Sequence, residues 1–125
     1  MYEYKIKVLR VIDGDTVDAM IDLGFSVHRK IRIRMYGINT PESRTRDLEE
    51  KKLGLQAKDR LKDIIEENEE SLYLKSYGVG KYGRCLGELF YSLVVDEEWD
   101  EIKKESINKQ LIREGHAVEY FGGKR

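Results

Sequence analysis

Residues 27–35 read Val27-His28-Arg29-Lys30-Ile31-Arg32-Ile33-Arg34-Met35. Successive side chains of a strand point to opposite faces. This stretch therefore separates into a largely apolar face, Val27, Arg29, Ile31, Ile33 and Met35, and a basic face, His28, Lys30, Arg32 and Arg34. Upstream, Val17, Ala19 and Ile21 alternate with Asp18, Met20 and Asp22. Further back, Tyr4, Ile6 and Val8 alternate with Lys5 and Lys7. Leu23-Gly24-Phe25 interrupts the second and third patterns, and Asp13-Gly14-Asp15 is a turn signal between the first two. Three strands in succession predict an antiparallel meander.

Downstream, Gly37 to Lys52 is polar and holds the only proline, which reads as a loop. Ala57, Leu61, Ile64 and Ile65 recur at helical spacing within Leu53 to Asn68. Ser71 to Tyr77 and Arg84 to Val95 read as two more strands. Ser106 is a candidate cap for a helix running to Glu114, with Gly115 as its stop. Tyr120 to Arg125 reads as irregular, and Asp96 to Glu105 as a long connection without an assignable role. Five strands and two helices, the first after strand three, predict an α+β, mainly β chain. Its expected form is a five-stranded antiparallel OB-fold barrel with two helices, one domain over residues 1–125.

The composition narrows the function classes. The 125 residues are 40% hydrophobic and 38% charged, enough to build a core and too polar for a spanning helix. A single cysteine, Cys85, excludes a disulfide-stapled scaffold, and no disulfide partner is expected. The start, Met1-Tyr2-Glu3-Tyr4, has no basic and apolar leader pattern, so a cytoplasmic location is expected, with no membrane partner. Between His28 and Arg46 six basic side chains meet only Glu42, a local charge of +5 in a chain of net charge −1. Such a patch on an acidic body suits an anionic ligand, or is a solvated strand face.

Gly78-Val79-Gly80-Lys81-Tyr82-Gly83 has the G-x-G-x-x-G spacing, but a strand-like segment follows where a phosphate-binding helix would be needed. It reads as a hairpin turn, and Cys85 as a packed strand residue. Asp13-Gly14-Asp15-Thr16 is a turn that also offers a hard carboxylate oxygen, Asp15, to Ca²⁺ or Mg²⁺. With Arg34, with Glu42 in Asn39-Thr40-Pro41-Glu42, and with Arg84 in Lys81-Tyr82-Gly83-Arg84, it makes a chemical set. Phosphodiester hydrolysis needs a carboxylate to take a proton from water. It also needs guanidinium forks to meet the charge growing on phosphoryl oxygens.

The ordered trio I-D-G-D-T-V, R-x-x-G-x-x-T-P-E and K-Y-G-R resembles the staphylococcal nuclease family from about Tyr4 to Phe121. Leu111 to Ala117 is similar to that family's second helix and its exit. The resemblance implies an OB-fold, a Ca²⁺-dependent nuclease acting on DNA or RNA, attack by water, and products carrying 3′-phosphates. It implies catalytic roles for Arg34, Glu42 and Arg84, with Glu42 as general base. It implies metal contacts from Asp15, position 39 and the Thr40 carbonyl. The family commonly has Asp where this chain has Asn39. The amide keeps an oxygen and removes a charge, so weaker Ca²⁺ binding is expected, with Mg²⁺ or Mn²⁺ as alternatives.

Arg44, Arg46 and the basic strand are expected to guide a polynucleotide into the site, with Lys81 beside them. Tyr82 and Tyr120 stand where an aromatic stacks on a base or packs into the core. A monomer is expected. The other reading is an OB-fold nucleic-acid or protein-binding module that has lost its chemistry. Retention of Asp15, Arg34, Glu42 and Arg84 together favours the enzyme.

Overall fold

A computed structural model describes residues 3–79, 83–93 and 103–121. Three long strands come first: β1 (Glu3–Asp13), β2 (Thr16–Asp22) and β3 (His28–Met35). They pair antiparallel, with Val8 opposite Ala19 and Val17 opposite Ile33, as their alternation predicts. β3 begins at His28, one residue later than the alternation suggests, and Val27 is exposed in the preceding turn. Then follow β4 (Ile38–Asn39), α1 (Leu48–Glu67), a 3-10 turn, β5 (Leu72–Val79) and β6 (Cys85–Leu93). The chain continues through β7 (Lys103–Ser106), α2 (Ile107–Arg113) and β8 (Val118–Glu119).

β5 pairs antiparallel with β1, Tyr4 opposite Leu74, and with β6, Leu74 opposite Leu89. β6 then meets β3 in parallel, Ile33 beside Cys85 and Arg34 beside Leu86. This contact closes the order β3-β2-β1-β5-β6 into a five-stranded mixed barrel with two helices, an OB-like α+β fold. The closing pair is parallel where an all-antiparallel barrel is expected. The cause is the odd number of strands: four antiparallel pairs in the order β3-β2-β1-β5-β6 leave β6 running in the sense of β3.

Val17, Ala19, Ile33, Leu72, Leu74 and Leu89 are buried in the barrel, with Leu61 and Ile64 of α1 and Ile107 and Leu111 of α2 in the same core. Burying each Leu or Ile contributes about 1.5–3 kcal/mol, so this core carries the fold. Cys85 is a buried free thiol of that core.

α1 starts five residues before its apolar periodicity does. Asp47 Oδ1 accepts the Glu49 and Glu50 N–H groups at 3.0 and 3.2 Å, and those two acids suit the positive end of the helix. α2 obeys its sequence signals. Ser106 Oγ accepts the Lys109 N–H at 3.2 Å, and Gly115 takes φ +81° as the helix closes. Gly115 N–H then reaches Ile112 O and His116 N–H reaches Leu111 O. β4, β7 and β8 are additions to the expected strands. β7 comes from the end of the Asp96 to Glu105 connection and pairs with β6; residues 96–102 lie outside the described residues. Among the described residues, no helix is long and apolar enough to cross a membrane.

Candidate active site

The β1–β2 turn forms one wall. Gly14 is needed there for space: a Cβ would stand 2.8 Å from Ala57 Cβ on α1 and 3.1 Å from the Thr40 side chain. The Asp15 carbonyl accepts the Met35 N–H at 2.8 Å, which fixes the turn to the end of β3. The Asp15 side chain is buried. Its Oδ1 accepts the Thr16 hydroxyl and its Oδ2 the Thr40 N–H, both at 3.0 Å. Arg34 lies 3.5 Å from Oδ2 through Nη2.

Arg34 is held on several sides. Nη1 donates to Met35 O at 2.9 Å, and Nη2 donates to Asn39 Oδ1 at 3.3 Å. A guanidinium has five N–H donors, so others remain for a phosphate oxygen. The parallel register of Arg34 with Leu86 puts Arg84, just ahead of β6, on the same side of the barrel. β4 pairs with β8 through Asn39 and Val118, and the Tyr120 N–H donates to Gly37 O at 2.9 Å. That pairing brings Val118 to Tyr120 to the site.

These elements enclose a cleft of about 370 Å³ lined by Asp13, Asp15, Thr16, Arg34, Asn39, Thr40, Glu42, Arg84 and Tyr120. Seven of the residues singled out in the sequence thus meet in one place: Asp15, Arg34, Asn39, Thr40, Glu42, Arg84 and Tyr120. Arg44 and Arg46 do not line it; they are exposed on the loop leading to α1. Lys81 and Tyr82 lie outside the described residues.

Several site residues carried no recognised sequence signal. Asp13 lines the cleft, and its Oδ1 accepts both the hydroxyl and the N–H of Ser43, which ties the turn to the loop beyond Glu42. Gly54 on α1 receives the Pro41–Glu42 backbone: a Cβ there would stand 2.5 Å from the Glu42 carbonyl carbon and oxygen. Next to the cleft residues Arg34 and Tyr120, Tyr36 stacks on Tyr77 with ring centroids 4.6 Å apart, and Phe121 meets Tyr36 edge-on at 5.7 Å. The basic face of β3 is less free than its sequence suggests. Arg32 forms a bidentate pair with Asp18 at 2.8 and 3.2 Å, and those hydrogen bonds lower the Asp18 carboxyl's pKa.

Among the described residues, no group of three His, Cys, Asp or Glu side chains is placed to hold a metal. The cleft does offer hard oxygens of another kind: the Asp15 carboxylate, the Asn39 amide and the Thr40 carbonyl. That donor chemistry suits Ca²⁺ or Mg²⁺ rather than a softer ion, with one formal charge among the three.

A closed OB-like barrel that aims carboxylates and arginines from four segments into one cleft defines the class of this protein. The chain belongs to the staphylococcal nuclease family: the family model described as staphylococcal nuclease homologue matches residues 32–125. It is 29% identical over 118 residues to a micrococcal nuclease of Shigella flexneri, covering 94% of this chain and 59% of that one. It is 29% identical over 119 residues to a thermonuclease of Staphylococcus hyicus, covering 95% and 61%. Protein ParB of Escherichia coli is 24% identical over 118 residues, covering 94% and 58%. The chain thus spans about three fifths of the length of these relatives.

Proposed function

We propose that this chain is a metal-dependent nuclease that hydrolyses phosphodiester bonds of DNA or RNA. The observation that carries the reading is the convergence of Asp15, Arg34, Glu42 and Arg84 in one cleft from four separate segments. Relatives that bear the names micrococcal nuclease and thermonuclease support it.

In this reading the scissile phosphate sits between Arg34 and Arg84. Their N–H groups bind its non-bridging oxygens and stabilise the charge that grows there. Glu42 takes the proton of the attacking water as oxygen bonds to phosphorus. The 5′ oxygen leaves with a proton from solvent, and the 3′ side keeps the phosphate. Asp15, Asn39 and the Thr40 carbonyl would hold a Ca²⁺, Mg²⁺ or Mn²⁺ ion, which when bound polarises the phosphate and lowers the pKa of water. Asp15 is pre-positioned for that role by its bonds to Thr16 and Thr40. Tyr120 and the Tyr36–Tyr77–Phe121 group offer aromatic surface to a base. Arg44 and Arg46, outside the cleft, contribute general attraction to the backbone. The 125 residues act here as one domain and as a monomer.

The test is digestion of single-stranded DNA, duplex DNA and RNA with Ca²⁺, Mg²⁺, Mn²⁺ or EDTA, beside Glu42→Gln purified identically. Cleavage that needs metal and collapses in the variant supports the enzyme. Binding without cleavage at millimolar metal by a folded protein would replace it with the binding module.

A further inference from the structure

At the end of β3 remote from the cleft, the turn between β2 and β3 displays apolar side chains to solvent. Phe25 is 102% exposed, between Leu23 at 44% and Val27 at 53%. Gly24, Phe25 and Ser26 have φ of +82°, +53° and +62°. Glycine adopts that conformation freely, whereas a bulky side chain there is uncommon and strained. The turn is nevertheless well fastened. The Leu23 N–H donates to Val27 O and the Val27 N–H to Gly24 O, both at 2.9 Å, and Asp22 Oδ1 accepts the Gly24 N–H at 2.8 Å. Backbone and solvation both disfavour phenylalanine at position 25, and it has no place in the core that would offset either cost. What the ring gains lies outside the free chain.

Cations stand behind this tip on both faces of the hairpin. In register, Lys7 faces Met20, Met20 faces Lys30, and Ile21 faces Arg29. Directly opposed residues share a face and successive ones alternate, so Lys7 and Lys30 lie on the outer face and Arg29 on the other. All three are exposed, and among the described residues none has a carboxylate at ion-pair distance. Asp22, the acid at this end of β2, is bonded to the turn's own backbone, and Glu3 of β1 is bound by Lys104. An apolar tip with a collar of cations complements a bilayer that carries anionic headgroups. Apolar side chains enter the interface there, while Lys and Arg stay among the phosphates.

We propose that the β2–β3 tip docks this chain on an anionic lipid surface, with Leu23, Phe25 and Val27 inserted and Lys7, Arg29 and Lys30 among the headgroups. Three apolar side chains are too small an area for a stable protein partner, whose interface buries about 1,000 Å² or more. Tip to tip, a second copy would set cation against cation. Surface docking needs no spanning helix, and it goes beyond the nuclease reading without depending on it. The fold suits it. β3 runs from His28 at the tip to Arg34 at the cleft, a distance of about 20 Å at the rise of a strand. That is more than two Debye lengths at physiological salt, about 8 Å each. A docked chain therefore keeps its cleft clear of the membrane's charge and open to a polynucleotide.

The test is flotation of the full chain with vesicles of phosphatidylcholine, alone or with about 30% phosphatidylserine. The anionic vesicles should bind at least about tenfold more tightly than the neutral ones. Phe25→Asn, which suits the left-handed backbone, should weaken that binding about tenfold or more and leave the urea midpoint no lower than the parent's. Lys7→Ser and Lys30→Ser should each weaken it about fivefold. Phe25→Trp in a Trp99→Phe background should shift its emission to the blue on the anionic vesicles. No binding to anionic vesicles, equal binding to both kinds, or undiminished binding by Phe25→Asn would overturn the docking. So would a lower urea midpoint in Phe25→Asn, which would give the ring to the fold. A dimer without lipid that Phe25→Asn abolishes would give the tip to a second copy, and a tenfold loss of oligothymidylate binding in Phe25→Asn would give it to nucleic acid. Vesicle binding is read without nucleic acid or metal, so its failure stands apart from failure of the digestion assay.

Discussion

Gly54 and Glu42 are in backbone contact: a Cβ on Gly54 would stand 2.5 Å from the carbonyl carbon and oxygen of Glu42 and 2.7 Å from the Pro41 carbonyl oxygen. One turn on, Ala57 seats Gly14 of the Asp13–Asp15 turn. The first half of α1 therefore serves as a common floor for the proposed base and the proposed metal carboxylate. In an unconstrained helix Gly→Ala stabilises by about 1 kcal/mol. Here Gly54→Ala must push the Glu42 loop away. We expect kcat to fall roughly 10²-fold, as for a misplacement of about 1 Å, with KM near the parent value. A higher Tm and unchanged kcat would show that the contact does not position Glu42.

Glu42→Gln keeps the shape of the side chain and removes its basicity. We expect a loss of about 10²- to 10⁴-fold in kcat. Arg44→Ala and Arg46→Ala, outside the cleft, should change activity only a few-fold and mainly at low salt, because exposed charges are screened. Steady-state kinetics on one oligonucleotide at two ionic strengths separate the two classes.

Asn39 Oδ1 accepts from Arg34 at 3.3 Å, and the side chain lines the cleft. Asn39→Asp adds a formal charge to a donor set that has one. Metal affinity should rise about tenfold or more, given the strength of charge interactions at such distances. Isothermal titration with Ca²⁺ checks this directly. Unchanged affinity would remove position 39 from the metal set.

Arg60 of α1 and Glu114 at the end of α2 form a bidentate pair at 2.6 and 3.0 Å. That hydrogen bonding, aided by Gln110, takes the Glu114 carboxyl from 4.5 to about 2. A carboxyl lowered on folding stabilises fully above its unfolded pKa, and the gain is lost as pH falls through the folded one. Both side chains are nearly a third exposed, so the pair is worth about 1 kcal/mol. Urea titrations of Arg60→Met should show that deficit near pH 6 and its disappearance near pH 2.

Asn108 is buried at the start of α2 and joins the backbone of β6 to the turn that follows β3. Its Oδ1 accepts the Leu89 N–H at 3.1 Å, and its Nδ2 donates to Tyr36 O at 2.8 Å and Gly87 O at 3.4 Å. Gly87 O also accepts the Tyr36 N–H at 2.7 Å, so Asn108→Leu removes the partners of Leu89 N–H and Tyr36 O and should cost about 2–4 kcal/mol, read as a lower urea midpoint.

The sequence by itself determined the meander, both helices, the α2 cap at Ser106 and its stop at Gly115. These depend on local period and capping chemistry, which neighbouring residues carry. It also singled out Asp15, Arg34, Glu42 and Arg84, because three short motifs in fixed order carry them as one chemical set. Only the tertiary structure decided that β6 closes on β3 in parallel, and that Arg84 reaches the cleft that Arg34 lines. It alone paired Arg32 with Asp18 and bonded Asp13 to Ser43, 30 positions apart. It alone made Gly54 and Ala57 the seats of two loops. Long-range register and close backbone approach depend on what packs opposite, and an absent Cβ leaves no pattern along the chain until its neighbour is known.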